Sequence, residues 1–257
     1  MPASFDGRHT ARLVFLHGFT QTHHHWHRVA LSVADAVGHS APRTRPTLAF
    51  VDLPGHGLSN EDRSTIEDAA DRLPLLAGAG TYVGYSMGAR FALVSAATGA
   101  AAIERLVLVG GTPGIDDAAE RRDRADADAE RADSIERDGV ATFLDGWLTA
   151  PMFAGLPPDA DGLAHRLRNN AVGLAHSLRA FGTGNQPSFW HRLDQIEIPV
   201  LVIAGDVDVK FTEIGTRMAE RLPRGSFASI AGSGHAAHIE QPELVTAVIG
   251  DWLVSTG

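Results

Sequence analysis

The chain has no cysteine, so disulfides and thiolate chemistry are both excluded, as suits a reducing compartment. It has one lysine, Lys210, so its cations are nearly all arginine. This skew accompanies abundant alanine, as genomic composition bias produces. No apolar stretch approaches the roughly 18 uninterrupted residues of a membrane span. No basic-then-apolar N-terminal segment ends in small residues either, so a cytoplasmic protein with no membrane partner is expected. Positive charge is also scarce: 22 basic against 31 acidic residues leave −9. That excludes a sequence-independent grip on nucleic acid or anionic lipid, and an anionic ligand would need a local cluster of cations.

What is present is ordinary for a globular protein. A length of 257 residues, with 44% hydrophobic and 21% charged, supports a sizeable core in one large α/β domain or two small ones. Short apolar runs flanked by turn residues cover Arg12 to Leu16, Thr47 to Leu53, Thr81 to Tyr85, Ile103 to Val109 and Pro199 to Ala204, with Gly225 to Ile230 weaker. They read as buried parallel strands. Helical patterns cover Ser64 to Ala77, Met87 to Thr98, Thr212 to Leu222 and Pro242 to Val254. Alternation of the two implies a doubly wound, mostly parallel sheet with helices on both faces. It breaks between about Thr112 and Trp190, where helix formers with i, i+4 charge pairs run from Asp116 to Arg137. A helical cap over residues 112–190 is expected, inserted after the strand ending near Val109, with 1–111 and 191–257 forming the core.

Gly84-Tyr85-Ser86-Met87-Gly88 has the G-x-S-x-G pattern. By composition it would arise by chance roughly 0.15 times in such a chain, so the pentapeptide alone is a hypothesis. Its context between a strand and a helix strengthens it, since a sharp strand-to-helix turn lifts the Ser86 hydroxyl off the sheet. An orienting acid and a base should follow in that order at the same sheet edge. Gly205-Asp206-Val207-Asp208 follows one strand and Gly232-Ser233-Gly234-His235 follows the next. Asp208 is preferred over Asp206 because it lies further from the strand end and can fold back. His235 is preferred over His238, which begins to enter the next helix. Leu16-His17-Gly18-Phe19-Thr20 follows the first strand, and the backbone N–H groups of Phe19 and Met87 are the candidate oxyanion hole. His17 reads as a structural residue of that loop.

With His17-Gly18, Asp52-Leu53-Pro54-Gly55-His56-Gly57, the Ser86 pentapeptide and Gly234-His235, the chain resembles α/β-hydrolase-fold proteins. That fold hosts esterases, carbon–carbon hydrolases and lyases, so its chemistry rests on the pocket. Tyr85, Arg90, Gly110 to Gly114, Arg124, Trp147, Leu167 to Asn170 and Asp208 to Phe211, with the His24 and Trp26 neighbourhood, make the whole chain similar to one member family. This is 2-succinyl-6-hydroxy-2,4-cyclohexadiene-1-carboxylate synthase, the menaquinone-pathway lyase.

The resemblance implies a substrate with three carboxylates and the loss of pyruvate. Such an anion would be repelled by a protein of charge −9 unless arginines met it, which gives Arg90, Arg124 and Arg168 a physical role. Arg121 or Arg122 is an alternative to Arg124, and Arg166 to Arg168. Tyr85, Trp147 and Lys210 complete the expected substrate-binding set, and His24 or Trp26 is a further candidate. No cofactor and no metal is implied. The run His23-His24-His25-Trp26-His27 cannot converge on one ion, and no nearby carboxylates complete a site. Oligomeric state is left open. A serine hydrolase of esters or carbon–carbon bonds would share the triad but need a mainly apolar pocket. A non-catalytic binding protein of this fold would not need the triad at all.

Overall fold

The computed structural model describes residues 12–40, 45–157, 160 and 162–256, with the side chains of residues 39 and 40 left aside. Strands β1 (Arg12–Leu16), β2 (Thr47–Val51), β3 (Gly80–Tyr85), β4 (Ile103–Val109), β5 (Val200–Gly205) and β6 (Gly225–Ile230) form one parallel sheet in the order β2-β1-β3-β4-β5-β6. Each falls on an expected apolar run. Alternate residues feed opposite faces, as the pleat requires. Val14 and Leu16 enter one core cluster, whereas Leu13 and Phe15 enter the other.

The helices are α1 (His27–Ser40), α2 (Ile66–Ala77), α3 (Met87–Ala97), α4 (Ala118–Trp147), α5 (Leu163–Arg166), α6 (Ala171–Phe181), α7 (Val209–Arg221), α8 (Ala237–Glu240) and α9 (Pro242–Ser255). Apolar residues of α2 and α3 fill the first core cluster; those of α1 and α9 fill the second. The sequence reading had no helix at α1, whose apolar Val29, Ala30 and Val33 are spaced for one buried face. It began α7 three residues late, because Asp208 caps that helix by accepting the Phe211 N–H.

Between β4 and β5 the chain leaves the sheet and forms α4, α5 and α6. Gly139 interrupts α4 with φ 82° and ψ 164°, a conformation that favours glycine. The first part of α4 packs on α6 through Ala132, Ile135, Leu174, Ala175 and Leu178. Because β2 and β3 lie on opposite sides of β1, the strand order reverses there, and a crevice opens at the carboxyl ends of β1 and β3. The inserted helices stand over it. Among the described residues, no helix is long and apolar enough to cross a membrane.

Candidate active site

The turn from β3 into α3 forces Ser86 to φ 49° and ψ −105°, a conformation a serine adopts only under constraint. Two glycines make it possible. A Cβ at Gly84 would lie 2.5 Å from the Ala89 nitrogen, and one at Gly88 would lie 2.2 Å from the Leu16 carbonyl oxygen. The backbone is then tied across the sheet by Ser86 N–H donating to the Val109 carbonyl at 2.8 Å.

Ser86 Oγ lies 3.1 Å from His235 Nε2, and His235 Nδ1 lies 2.9 Å from Asp208 Oδ2. With Nδ1–H donated to the carboxylate, Nε2 keeps the lone pair needed to accept the serine proton. His235 is buried, between the Phe211 ring at 4.4 Å and the Tyr85 ring at 5.4 Å. Asp206 turns elsewhere, accepting the Gly232 N–H at 2.8 Å and so bracing the histidine loop. His238 is fully enclosed between Trp26 and Tyr85, and burial pulls its pKa well down.

His17 holds the loop after β1. Its Nδ1 meets the Gly18 carbonyl at 2.8 Å, and its Nε2 accepts the Leu53 N–H at 3.0 Å. Burial lowers its pKa to about 4, and that of neighbouring His56 to about 3, so both imidazoles are neutral at physiological pH. Phe19 and Met87 line the same cavity as Ser86.

That cavity, of about 680 Å³, also receives Tyr85, Arg90, Arg124, Trp147 and Lys210. Arg90 is buried and donates to Gln186 Oε1 at 2.8 Å. Burial, with the nearby Arg124 charge adding to it, lowers its pKa to about 10, so it remains cationic at neutral pH. Arg124, rather than Arg121 or Arg122, lines the cavity, its Nε donating to Asp128 Oδ2 at 2.9 Å. Lys210 is exposed at the rim. Trp147 stands edge-on to Phe19, ring centres 5.6 Å apart, and burial raises the Tyr85 phenol pKa.

Arg168 requires correction. It is exposed and does not line the cavity, whereas Arg166 is 1% exposed, lines it, and donates to Thr20 Oγ1. The chain turns at the end of α5, so two residues separate a buried side chain from a solvated one. The His24 and Trp26 reading is corrected too. Trp26 is a core residue whose Nε1–H donates to the Leu16 carbonyl at 2.9 Å, and His24 stacks on His165 with ring centres 4.0 Å apart. Neither lines the cavity. Among the described residues, no group of three or more histidine or acidic side chains is arranged to hold a metal ion.

Sequence reasoning missed several cavity residues. Arg131 and Arg217 add cations, and the buried Asp128 binds Arg131 Nη1 at 3.0 Å as well as Arg124. The spacing of Arg124, Asp128 and Arg131 at i, i+4 and i+7 was the signal for this triplet.

Residues 13–248 match the model of the alpha/beta hydrolase family. The 2-succinyl-6-hydroxy-2,4-cyclohexadiene-1-carboxylate synthase of Enterobacter sp. (strain 638) is 32% identical over 94% of this chain and 91% of its own. The chain belongs to this synthase family of α/β hydrolases. A candidate synthase of the same name from Bacillus subtilis (strain 168) is 34% identical over 95% of this chain and 90% of its own. Among solved structures, MenH from S. aureus superposes with a TM-score of 0.84 at 30% identity, covering 98% of this chain and 96% of that one. The kinship therefore includes the inserted helices as well as the sheet.

Proposed function

We infer that the protein is a lyase of menaquinone biosynthesis that eliminates pyruvate from 2-succinyl-5-enolpyruvyl-6-hydroxy-3-cyclohexene-1-carboxylate, giving 2-succinyl-6-hydroxy-2,4-cyclohexadiene-1-carboxylate. The observation that carries this reading is a Ser-His-Asp chain opening into a cavity with Arg90, Arg124, Arg131 and Arg166 in its walls. A neutral ester needs none of these cations, and a tricarboxylate needs several. In this reading residues 112–190 act as a cap on a core of residues 1–111 and 191–257.

Ser86, its basicity raised by His235 and Asp208, removes the ring proton α to the succinyl carbonyl. Charge develops on that carbonyl oxygen, which the Phe19 and Met87 N–H groups receive. Each such donor is worth roughly 3 to 4 kcal/mol to the transition state. The electron pair then moves through the ring double bond and breaks the carbon–oxygen bond to the enolpyruvyl group. The departing enolate takes a proton on its methylene carbon to become pyruvate. The proton and electron accounts close within the substrate, so the reaction calls for no cofactor.

Arg90 and Arg166 are the buried carboxylate receptors, with Arg124 and Lys210 nearer the mouth and Tyr85 and Trp147 forming apolar walls. The test is to supply the enolpyruvyl cyclohexene and follow pyruvate with a coupled dehydrogenase, beside p-nitrophenyl acetate. Pyruvate release is expected. Rapid ester turnover without pyruvate would favour a serine hydrolase instead.

A further inference from the structure

One buried acid near the triad is left without a role by the mechanism. Glu240, 8% exposed, ends α8, five residues after His235. Its carboxylate reaches back to the loop before that helix. Oε2 accepts the Gly234 N–H at 2.7 Å, and Oε1 accepts the Ala236 N–H at 3.0 Å. These N–H groups belong to the residues before and after His235, so one carboxylate holds the histidine's loop at both flanks. Charge-assisted bonds of this kind are short and strong, and they fix direction as well as distance.

The segment that follows α4 also approaches the carboxylate. A Cβ built on Gly155 would lie 2.1 Å from Glu240 Oε2. The backbone of that segment therefore lies close against the clamp, and a side chain at 155 would have to push the carboxylate aside. Met152, nearby in the same segment, brings its carbonyl oxygen within 3.6 Å of a Cβ built on Gly234.

We propose that Glu240 is a positioning residue, holding the His235 loop so that Nε2 stays within reach of Ser86 and forming the seat on which the segment at Gly155 rests. The proposal rests on His235 as the base but not on the identity of the substrate. Misplacing a reacting group by about 1 Å costs on the order of 100-fold in rate, which sets the expected size of the effect.

The test uses the full chain and reads pyruvate release together with covalent labelling of Ser86 by a fluorophosphonate. Labelling needs the histidine but not the arginines. Glu240→Gln, which keeps the shape and one acceptor, is expected to lower kcat about 10-fold, and Glu240→Ala about 100-fold, with KM within about twofold. Labelling should slow by the same factors. Gly155→Ala leaves the acid in place but pushes on it, and about a 10-fold loss in both rates is expected; it carries the test with Glu240→Gln if the alanine variant at 240 does not fold. A lower Tm with both rates unchanged per folded molecule would mean a purely structural acid and overturn the proposal. So would a loss confined to KM. If labelling slows as expected while the parent releases no pyruvate, Glu240 keeps its assignment and the lyase reading falls.

Discussion

The floor of the cavity hangs its functional groups from strand ends, whereas the roof hangs them from helices, and different forces hold the two. Ser86 is set by a strained turn that adjacent glycines permit, Asp208 by its place capping α7, and His235 by a loop bonded at both ends. Backbone geometry fixes all three. In the roof, Arg124 and Arg131 point where the buried Asp128 draws them, each being about two-fifths exposed. Charge fixes those. The difference teaches that chemistry and recognition are separable here. Changes to the floor should act on kcat, and changes to the roof on KM.

The sharpest way to break that division is Ser86→Ala, expected to reduce kcat by at least about 10³-fold with pyruvate release as the readout. Retained turnover would remove the serine from the mechanism. Next in size, Arg166→Ala in the roof should cost roughly 10- to 100-fold in kcat/KM, mostly through KM, since each charge-assisted pair with a carboxylate is worth about 1.5 to 3 kcal/mol. Arg90→Ala is expected to match it. Arg90 extends from α3 yet belongs with the carboxylate receptors, so a loss in its kcat alone would break the division between chemistry and recognition.

A stability measurement probes the floor differently. His17 and His56 are buried and neutral in the folded state, with pKa values lowered to about 4 and about 3. Above the unfolded value near 6.5 both states are neutral, so the groups cost nothing. As pH falls below it, only the unfolded chain takes up protons, and stability is lost until the folded state protonates too. Tm should therefore drop between pH 6.5 and 5, each kcal/mol lost being worth about 2 to 4 °C in a chain of this size. A flat Tm across that range would mean that folded and unfolded chains take up protons equally there, against two rings held neutral by burial. Smallest of all, Arg168→Ala should leave kcat/KM within about twofold, because that side chain stands outside the cavity. A large loss there would return Arg168 to the roof.

The same contrast explains what could be read from residues alone. Strand ends are legible, since apolar runs bounded by turns mark β1 through β6, and Ser86, Asp208 and His235 each sit at a fixed offset from one of them. Their meeting at one sheet edge followed from topology. Helix faces are less legible, because each residue turns the side chain by about 100°. Arg166 and Arg168 differ by two positions and face opposite environments. Around them Leu163 and Leu167 are exposed while Arg166 is buried, the reverse of what hydrophobic patterning indicates. Glu240 was overlooked for another reason: its partners are backbone amides, which carry no sequence signal.

Gly139 divides the roof into an arm bearing guanidinium groups and an arm bearing Phe143 and Trp147. A continuous rod would swing both together, like the two ends of a seesaw. With a kink between them, the cationic arm and the aromatic arm take separate directions, and each can be lengthened, shortened or retilted without redirecting the other.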